Sequence, residues 1–289
     1  MKAAAYRTAI CIVLSVSILS TLHWSLVEAN IIRNLWSVAL KQTFYEQEVE
    51  DVNAVHKIDN HLVRRLIVMP LTDAFKPHRA DLMHDKVQYG DKCSLPTSIG
   101  RLIFEKRYEV PWIFEIKPVN GAKNDFNLAI HSDANTTTQA SVKPKLTKAY
   151  ISPLDFRSPE NYIFLPKWLM DDLSLSPNDL VDISFIRIKL ADLVVFQPMT
   201  LDWDELMKEH SDPKALLEHE INKYSSLTTG STICIEIKGK EYPIFVKKTQ
   251  AEGGVSVIAV RVQDSDVRTD IDRSLLDELI KKQKEDISI

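Results

Sequence analysis

Asp171-Asp172 is the nearest approach to paired catalytic carboxylates in this chain. Adjacent side chains on a helix do not face each other, so the two are badly placed to share acid–base work. Eight histidines are present, yet no two make H-x-x-x-H, and Cys93 and Cys234 make no C-x-x-C. Metal-ligand spacing is therefore missing. Glu209-His210 and His219-Glu220 read as solvated faces. No spacing of Ser, His and Asp singles out a nucleophile, and G-x-S-x-G does not occur. The glycine loops that cradle nucleotide phosphates, G-x-G-x-x-G and G-x-x-x-x-G-K-S/T, are absent too. The expectation is a protein that is not an enzyme, with no metal and no cofactor.

Composition narrows the class further. The formal charge of −4 is spread over well-mixed acids and bases, with no basic patch of the kind nucleic acids require. Of three cysteines, Cys11 falls in the N-terminal segment, leaving at most one bridge between Cys93 and Cys234. Such scarcity slightly favours a reducing destination.

Hydrophobic periodicity predicts many short strands. Val63–Pro70, Trp112–Lys117, Phe126–His131, Lys148–Leu154, Leu180–Lys189 and Leu193–Phe196 read as strands, with a polar loop over Ala134–Lys145. The spacing of Leu95, Ile99 and Leu102 predicts a short helix over Lys92–Leu102. A proline-opened helix is predicted over Lys167–Leu173 after Pro166. The pattern changes near Gln197-Pro198 and Asp202-Trp203-Asp204. Beyond it come a helix from Pro213, with Asp212 as N-cap, a hairpin turning at Gly239-Lys240, and a strand over Val255–Val262. Leu275, Leu276, Leu279 and Ile280 share one face of a final amphipathic segment.

The front end differs from this body. Lys2 and Arg7, the apolar run Ala9–Leu22 and Val27-Glu28-Ala29 follow the pattern of a secretory signal peptide. An anchor helix is the alternative. Asn30–Tyr45 carries Arg33 and Lys41 but no acid, as a second targeting element would; a plain linker is the other reading.

The stretch Tyr162–Met170 carries a more specific signature: a strand ending aromatic-Leu-Pro, then x-Trp-hydrophobic-Met. Leu95-Pro96-x-Ser98, Pro111-Trp112-Ile113-Phe114, Phe196-Gln197-Pro198, Asp202-Trp203, Asp212-Pro213-Lys214-Ala215 and Leu227-Thr228-Thr229-Gly230 flank it in order, followed by Tyr242, Val246 and Lys248. This ordered set, over roughly Leu62–Asp266, resembles the ubiquitin fusion degradation protein 1 family.

The resemblance implies a mostly β fold with an α+β part: a double-psi β-barrel followed by a small α+β subdomain. The expected division is a signal peptide (1–29), a targeting leader or linker (30–61), the barrel (62–198), the α+β subdomain (199–266) and an amphipathic or disordered tail (267–289). It implies a non-catalytic adaptor that binds ubiquitin or ubiquitin-like modified proteins. Such an adaptor works with a nuclear protein localisation protein 4-type partner and hands cargo to the valosin-containing AAA+ ATPase. The family's glycine-containing ATPase-docking box has no counterpart among the residues after Gly254, none of which is glycine. Partner contacts are expected at Leu227, Thr228, Gly230, Leu275, Leu276 and Leu279. Structural roles are expected for Pro96, Trp112, Phe164, Leu165, Pro166, Trp168, Phe196, Gln197, Pro198 and Tyr242. With the leader, the resemblance points to a version serving protein import into a plastid of red-algal origin, such as an apicoplast. The alternatives are an ER-associated degradation adaptor, or a secreted or endolysosomal barrel with an unrelated enzymatic or binding function.

Overall fold

The computed structural model describes residues 44–56, 62–71, 88–119, 146–209 and 213–287. The signal segment, most of the 30–61 leader, the strand expected at Phe126–His131, the loop at Ala134–Lys145 and the Asp212 cap lie outside these residues. No helix among the described residues is long and apolar enough to cross a membrane. Residues 44–56 of the expected leader are helical (α1). The Asn53 side chain there bonds both the N–H and the C=O of Arg65 (2.8 and 2.9 Å), as a neighbouring strand would.

Six strands close into a barrel: β1 (Val63–Pro70), β2 (Lys92–Pro96), β3 (Ile113–Pro118), β4 (Ala149–Ser158), β5 (Tyr162–Leu165) and β6 (Leu180–Ile186). Their order around it is β1-β5-β2-β4-β3-β6, with β6 pairing back to β1. Alternation fills it: Leu66 and Val68, Cys93 and Leu95, Phe114 and Ile116, Ile163 and Leu165, Val181 and Ile183 all point inward and are buried. β1 runs parallel to β5, β2 parallel to β4, and β5 antiparallel to β2 between them. The arrangement is pseudo-two-fold, as a double-psi barrel requires. Two equivalent corners mark it. β2 ends Leu95-Pro96 and leads into α2 (Thr97–Glu105); β5 ends Leu165-Pro166 and leads into α3 (Lys167–Asp172). Both prolines hold nearly the same extended backbone (φ −62°, ψ 147° and φ −58°, ψ 146°).

Lys92–Pro96 is thus a strand, not the first turn of the expected helix, which starts at Thr97. Proline disfavours α conformation in the residue before it, so Leu95 is held extended and faces the barrel.

The second subdomain is a sheet in the order β11-β10-β7-β13, with β9 also on β10. Its strands are β7 (Ala191–Pro198), β9 (Thr232–Ile237), β10 (Lys240–Ala251), β11 (Val255–Val257) and β13 (Arg268–Ile271). A separate pair joins β8 (Ser226–Thr228) to β12 (Ala259–Arg261). Helices α4 (Asp202–Glu209) and α5 (Pro213–Ile221) pack Trp203, Leu206, Leu217 and Ile221 into its core, and the Trp203 ring meets Tyr242 edge-on at 6.0 Å.

Two expected boundaries move. β7 pairs with β10 and β13, so the division falls between Ile186 and Ala191 rather than after Pro198. The region expected as a separate tail supplies β13, parallel to β7, and then α6 (Ser274–Ile287). Strand membership here is fixed by long-range pairing, which local pattern does not encode.

Charged groups hold α6 in place. Asp272 accepts the Ser274 N–H at 2.9 Å and pairs with Lys247; Arg273 reaches Asp204 on α4 at 2.6 Å. The hydrogen bonds from Lys247 and then Ser274 pull the Asp272 carboxyl down to about 2. Lys208 and then Arg273 hold Asp204 below the usual range as well. Both folded-state values lie below those of the unfolded chain, so the contribution of these contacts is complete above about pH 4 and is lost as pH falls towards 2, while Leu276 stays buried in the core. The Ser274 amide NMR signal is expected to shift over that interval, and less so in Asp272→Asn. A signal that stays fixed from pH 4 to pH 2 contradicts it.

Candidate recognition surface

Helix α2 buries Ile99 and Ile103 at one end of the barrel. Its N-terminus is held by β4 and the turn after it. Thr97 Oγ1 donates to the Phe156 carbonyl (2.8 Å), and the Ser98 hydroxyl and N–H both bond the Glu160 carboxylate (2.7 and 3.2 Å). A carboxylate there also complements the helix dipole. Gly100 lets the helix sit close: a Cβ at that position would lie 2.7 Å from Cγ of Phe156.

This anchoring leaves an aromatic shelf on the outer side. Phe104 is 65% exposed and meets Trp112 edge-on at 5.4 Å; Trp112 stands 5.9 Å from Phe156. The Trp112 indole N–H donates to the Tyr108 carbonyl (3.0 Å), which fixes the ring. Large exposed aromatics over a rigid base are the usual anchors of protein recognition. Trp112, expected as a core residue, is only half-buried and belongs to this shelf. Phe104 and Phe156 were not expected. The signal for Phe104 was present: it falls off the inward Ile99–Ile103 stripe of an amphipathic helix.

The other corner is covered. The Trp168 indole N–H, just inside α3, donates to the Gly90 carbonyl (3.1 Å), and its ring lies 6.0 Å from Tyr224. Asp172 at the end of α3 accepts the Thr232 N–H of β9 at 2.7 Å. Asp171, beside it, is exposed, so the suspected carboxylate pair points to two environments.

Beside this contact lies a buried polar knot joining the subdomains. Asp91 is 1% exposed and accepts the N–H groups of Ser225 and Ser226 (both 2.9 Å) and the Ser226 hydroxyl (3.1 Å). Lys92 stands 3.8 Å away and donates to Ser152 (2.7 Å) and Ser225. Burial pushes the Asp91 carboxyl above the usual range, against the opposing pull of Lys92 and these donors. Lysine beside two serines is a nucleophile's vocabulary, but both hydroxyls are sealed in the junction.

The expected partner contacts are placed differently. Leu227 and Leu276 are fully buried in the second core, and Thr228 is buried in β8. The two leucines are structural, because their side chains complete a core. Gly230 sits at φ +91° in the turn between β8 and β9, a conformation glycine adopts without strain. Leu275 and Leu279 are half-buried on α6. Of the residues expected to be structural, Pro96, Leu165, Pro166, Phe196, Pro198 and Tyr242 are buried, while Phe164, Trp168 and Gln197 are half-buried. Gln197 donates to the Ser274 hydroxyl at 3.0 Å and so helps seat α6. Cys93 and Cys234 are free thiols; burial pushes Cys234 up to about 11. Among the described residues no group of three His, Cys, Asp or Glu is arranged to hold a metal ion.

Comparison with known proteins follows this division. Residues 71–189 match the family model described as ubiquitin fusion degradation protein UFD1, N-terminal subdomain 1, and residues 190–274 match N-terminal subdomain 2. The human ubiquitin recognition factor in ER-associated degradation protein 1 is 31% identical over 122 residues, 42% of this chain and 37% of that protein. Ubiquitin fusion degradation protein 1 of Saccharomyces cerevisiae is 32% identical over 107 residues, 37% of this chain and 28% of its own length. The Caenorhabditis elegans homolog of the latter is 23% identical over 231 residues, 80% of this chain and 57% of that protein. The matches therefore span less than two thirds of these curated relatives.

Proposed function

Because the chain belongs to the ubiquitin fusion degradation protein 1 family, we infer that it is a ubiquitin-recognition adaptor in protein degradation rather than a catalyst. The observation that carries this reading is the succession of both N-terminal subdomains along residues 71–274. The relatives' names supply the ligand class, since one is a ubiquitin recognition factor. The Phe104–Trp112–Phe156 shelf supplies the surface. A surface built on three aromatic rings binds one ubiquitin weakly, and repeated units along a ubiquitin chain raise the apparent affinity through effective concentration.

Calorimetric titration with mono-ubiquitin and tetra-ubiquitin tests it. The longer chain is expected to bind more tightly. Phe104→Asp is expected to weaken binding roughly thirtyfold and to cost only about 1 kcal/mol of stability, from its lost ring contact. Unchanged affinity in the variant removes the shelf from the reading. A wild-type protein that binds neither ligand removes the reading itself.

The finer proposal is that bound cargo passes to the valosin-containing AAA+ ATPase, with a nuclear protein localisation protein 4-type partner. The family resemblance supports it. The signal-like residues 1–29 support entry into the secretory pathway, and we propose a plastid bounded by extra membranes, with import as the purpose. The ER-associated relative supports the ER as the competing location. Imaging of the tagged full chain, with mass spectrometry of its co-purifying proteins, separates the two. Secretion into the medium contradicts both.

A further inference from the structure

Strand β12 lies between the two cores, and its alternation sends its residues to different places. Val260 points into the second core and is fully buried. Ala259 points the other way, against Ile113 and Tyr150 on the outer face of the barrel, with Ile186 and Ile188 packed alongside. Arg261, two residues on, shares that face. Its backbone is fixed, because its N–H donates to the Lys189 carbonyl at 2.8 Å.

A cleft of about 170 Å³ opens there, with Val110 at its lip, Ile113, Ile186 and Ile188 along its wall, and Arg261 and Arg187 at its edge. Val110 is 72% exposed. The Arg261 Nε is shut off from solvent with no hydrogen-bond partner among the described residues, and no carboxylate there pairs with the side chain. Among the described residues Arg187 reaches only the exposed Glu109, at 3.0 Å. A buried guanidinium N–H left without an acceptor costs stability. Guanidinium geometry is matched by a carboxylate, which accepts two parallel N–H bonds. The cleft is smaller than the roughly 300–1,000 Å³ typical of small-molecule sites, and its size suits one or two side chains.

We propose that this cleft docks an extended acidic segment of a partner protein. An aliphatic side chain rests on Ile113, Ile186 and Ile188, and the carboxylate two residues further on, on the same face of the extended segment, pairs with Arg261. The site is separate from the aromatic shelf, so the proposal stands or falls independently of ubiquitin recognition.

The test uses the full chain and two fluorescein-labelled hexapeptides read by anisotropy: Ser-Gly-Ile-Ser-Asp-Gly and its uncharged isostere Ser-Gly-Ile-Ser-Asn-Gly. The acidic peptide is expected to bind at least about tenfold more tightly. Arg261→Gln is expected to erase that preference while leaving tetra-ubiquitin affinity unchanged. Val110→Asp, on an exposed lip where folding is not at stake, is expected to weaken the acidic peptide more than the neutral one. Equal binding of the two peptides by the wild-type chain overturns the proposal. So does an acidic preference that survives in both variants.

Discussion

Asp91→Ala is expected to destabilise the folded body by about 3–5 kcal/mol, the range for stripping one partner from a buried charged cluster. The carboxylate is the shared acceptor for two backbone N–H groups and a hydroxyl, and it stands beside Lys92. Alanine leaves both backbone N–H groups without that acceptor in a space closed to water, leaves the Ser226 hydroxyl only the Tyr150 carbonyl at 3.3 Å, and leaves the ammonium without its counter-charge. For a body of this size the melting temperature should fall by roughly 10 °C. Asp91→Asn keeps the shape and one acceptor, yet turns an NH2 group towards one of the donors, so it should recover only part of the loss. Calorimetric scans of the three proteins decide it. An alanine variant melting within about 2 °C of the wild type would show that the junction gains little from this knot.

Leu276→Ala is the second large effect, expected to cost about 2–5 kcal/mol. Leu276 has no exposed surface and completes the core built by Trp203, Phe196 and Tyr242. Its neighbour Leu275 is only half-buried, and Leu275→Ala should cost markedly less. The pair separates a docked helix from a binding tail. A helix that waits for a partner would give two variants of equal stability, both weakened in partner binding. Chemical denaturation of the two proteins is sufficient to tell.

Much of the barrel was legible because its inward residues come at two-residue spacing, as in Phe114 with Ile116 and Val181 with Ile183. The helix misplaced over Lys92–Pro96 came from Leu95, Ile99 and Leu102, whose spacing fits a helix while Pro96 forbids one there. Helix α4 was read only as a boundary, although Asp202, Asp204 and Glu205 crowd its first turn, as the helix dipole favours, and Trp203 and Leu206 turn inward. Val255–Val262 splits into β11 and β12 because its two halves pair with different partners, β10 and β8. The shelf was half legible. Trp112 was singled out, but for its bulk, and nothing local says which large aromatic ends up inside. Arg261 was not legible at all, since its side chain's lack of a partner among the described residues arises only where residues far apart in sequence come together.

The two Leu-Pro corners of the barrel are equivalent in backbone and unequal in use. At one, the Trp168 ring packs on Tyr224 and Asp172 accepts from Thr232, so both are committed to the chain's own second subdomain. At the other, Phe104 faces outward against a half-buried Trp112, with no such cover among the described residues. A fold that doubles a structural element makes two places where a neighbour can be seated. Here one seat is taken by a permanent resident, which fixes the orientation of the second subdomain, and we propose that the other is kept for visitors. On that proposal half of the symmetry is converted into rigidity and the other half into recognition. A second attachment surface therefore needs no extra domain: it is the unused copy of the joint that holds the molecule together.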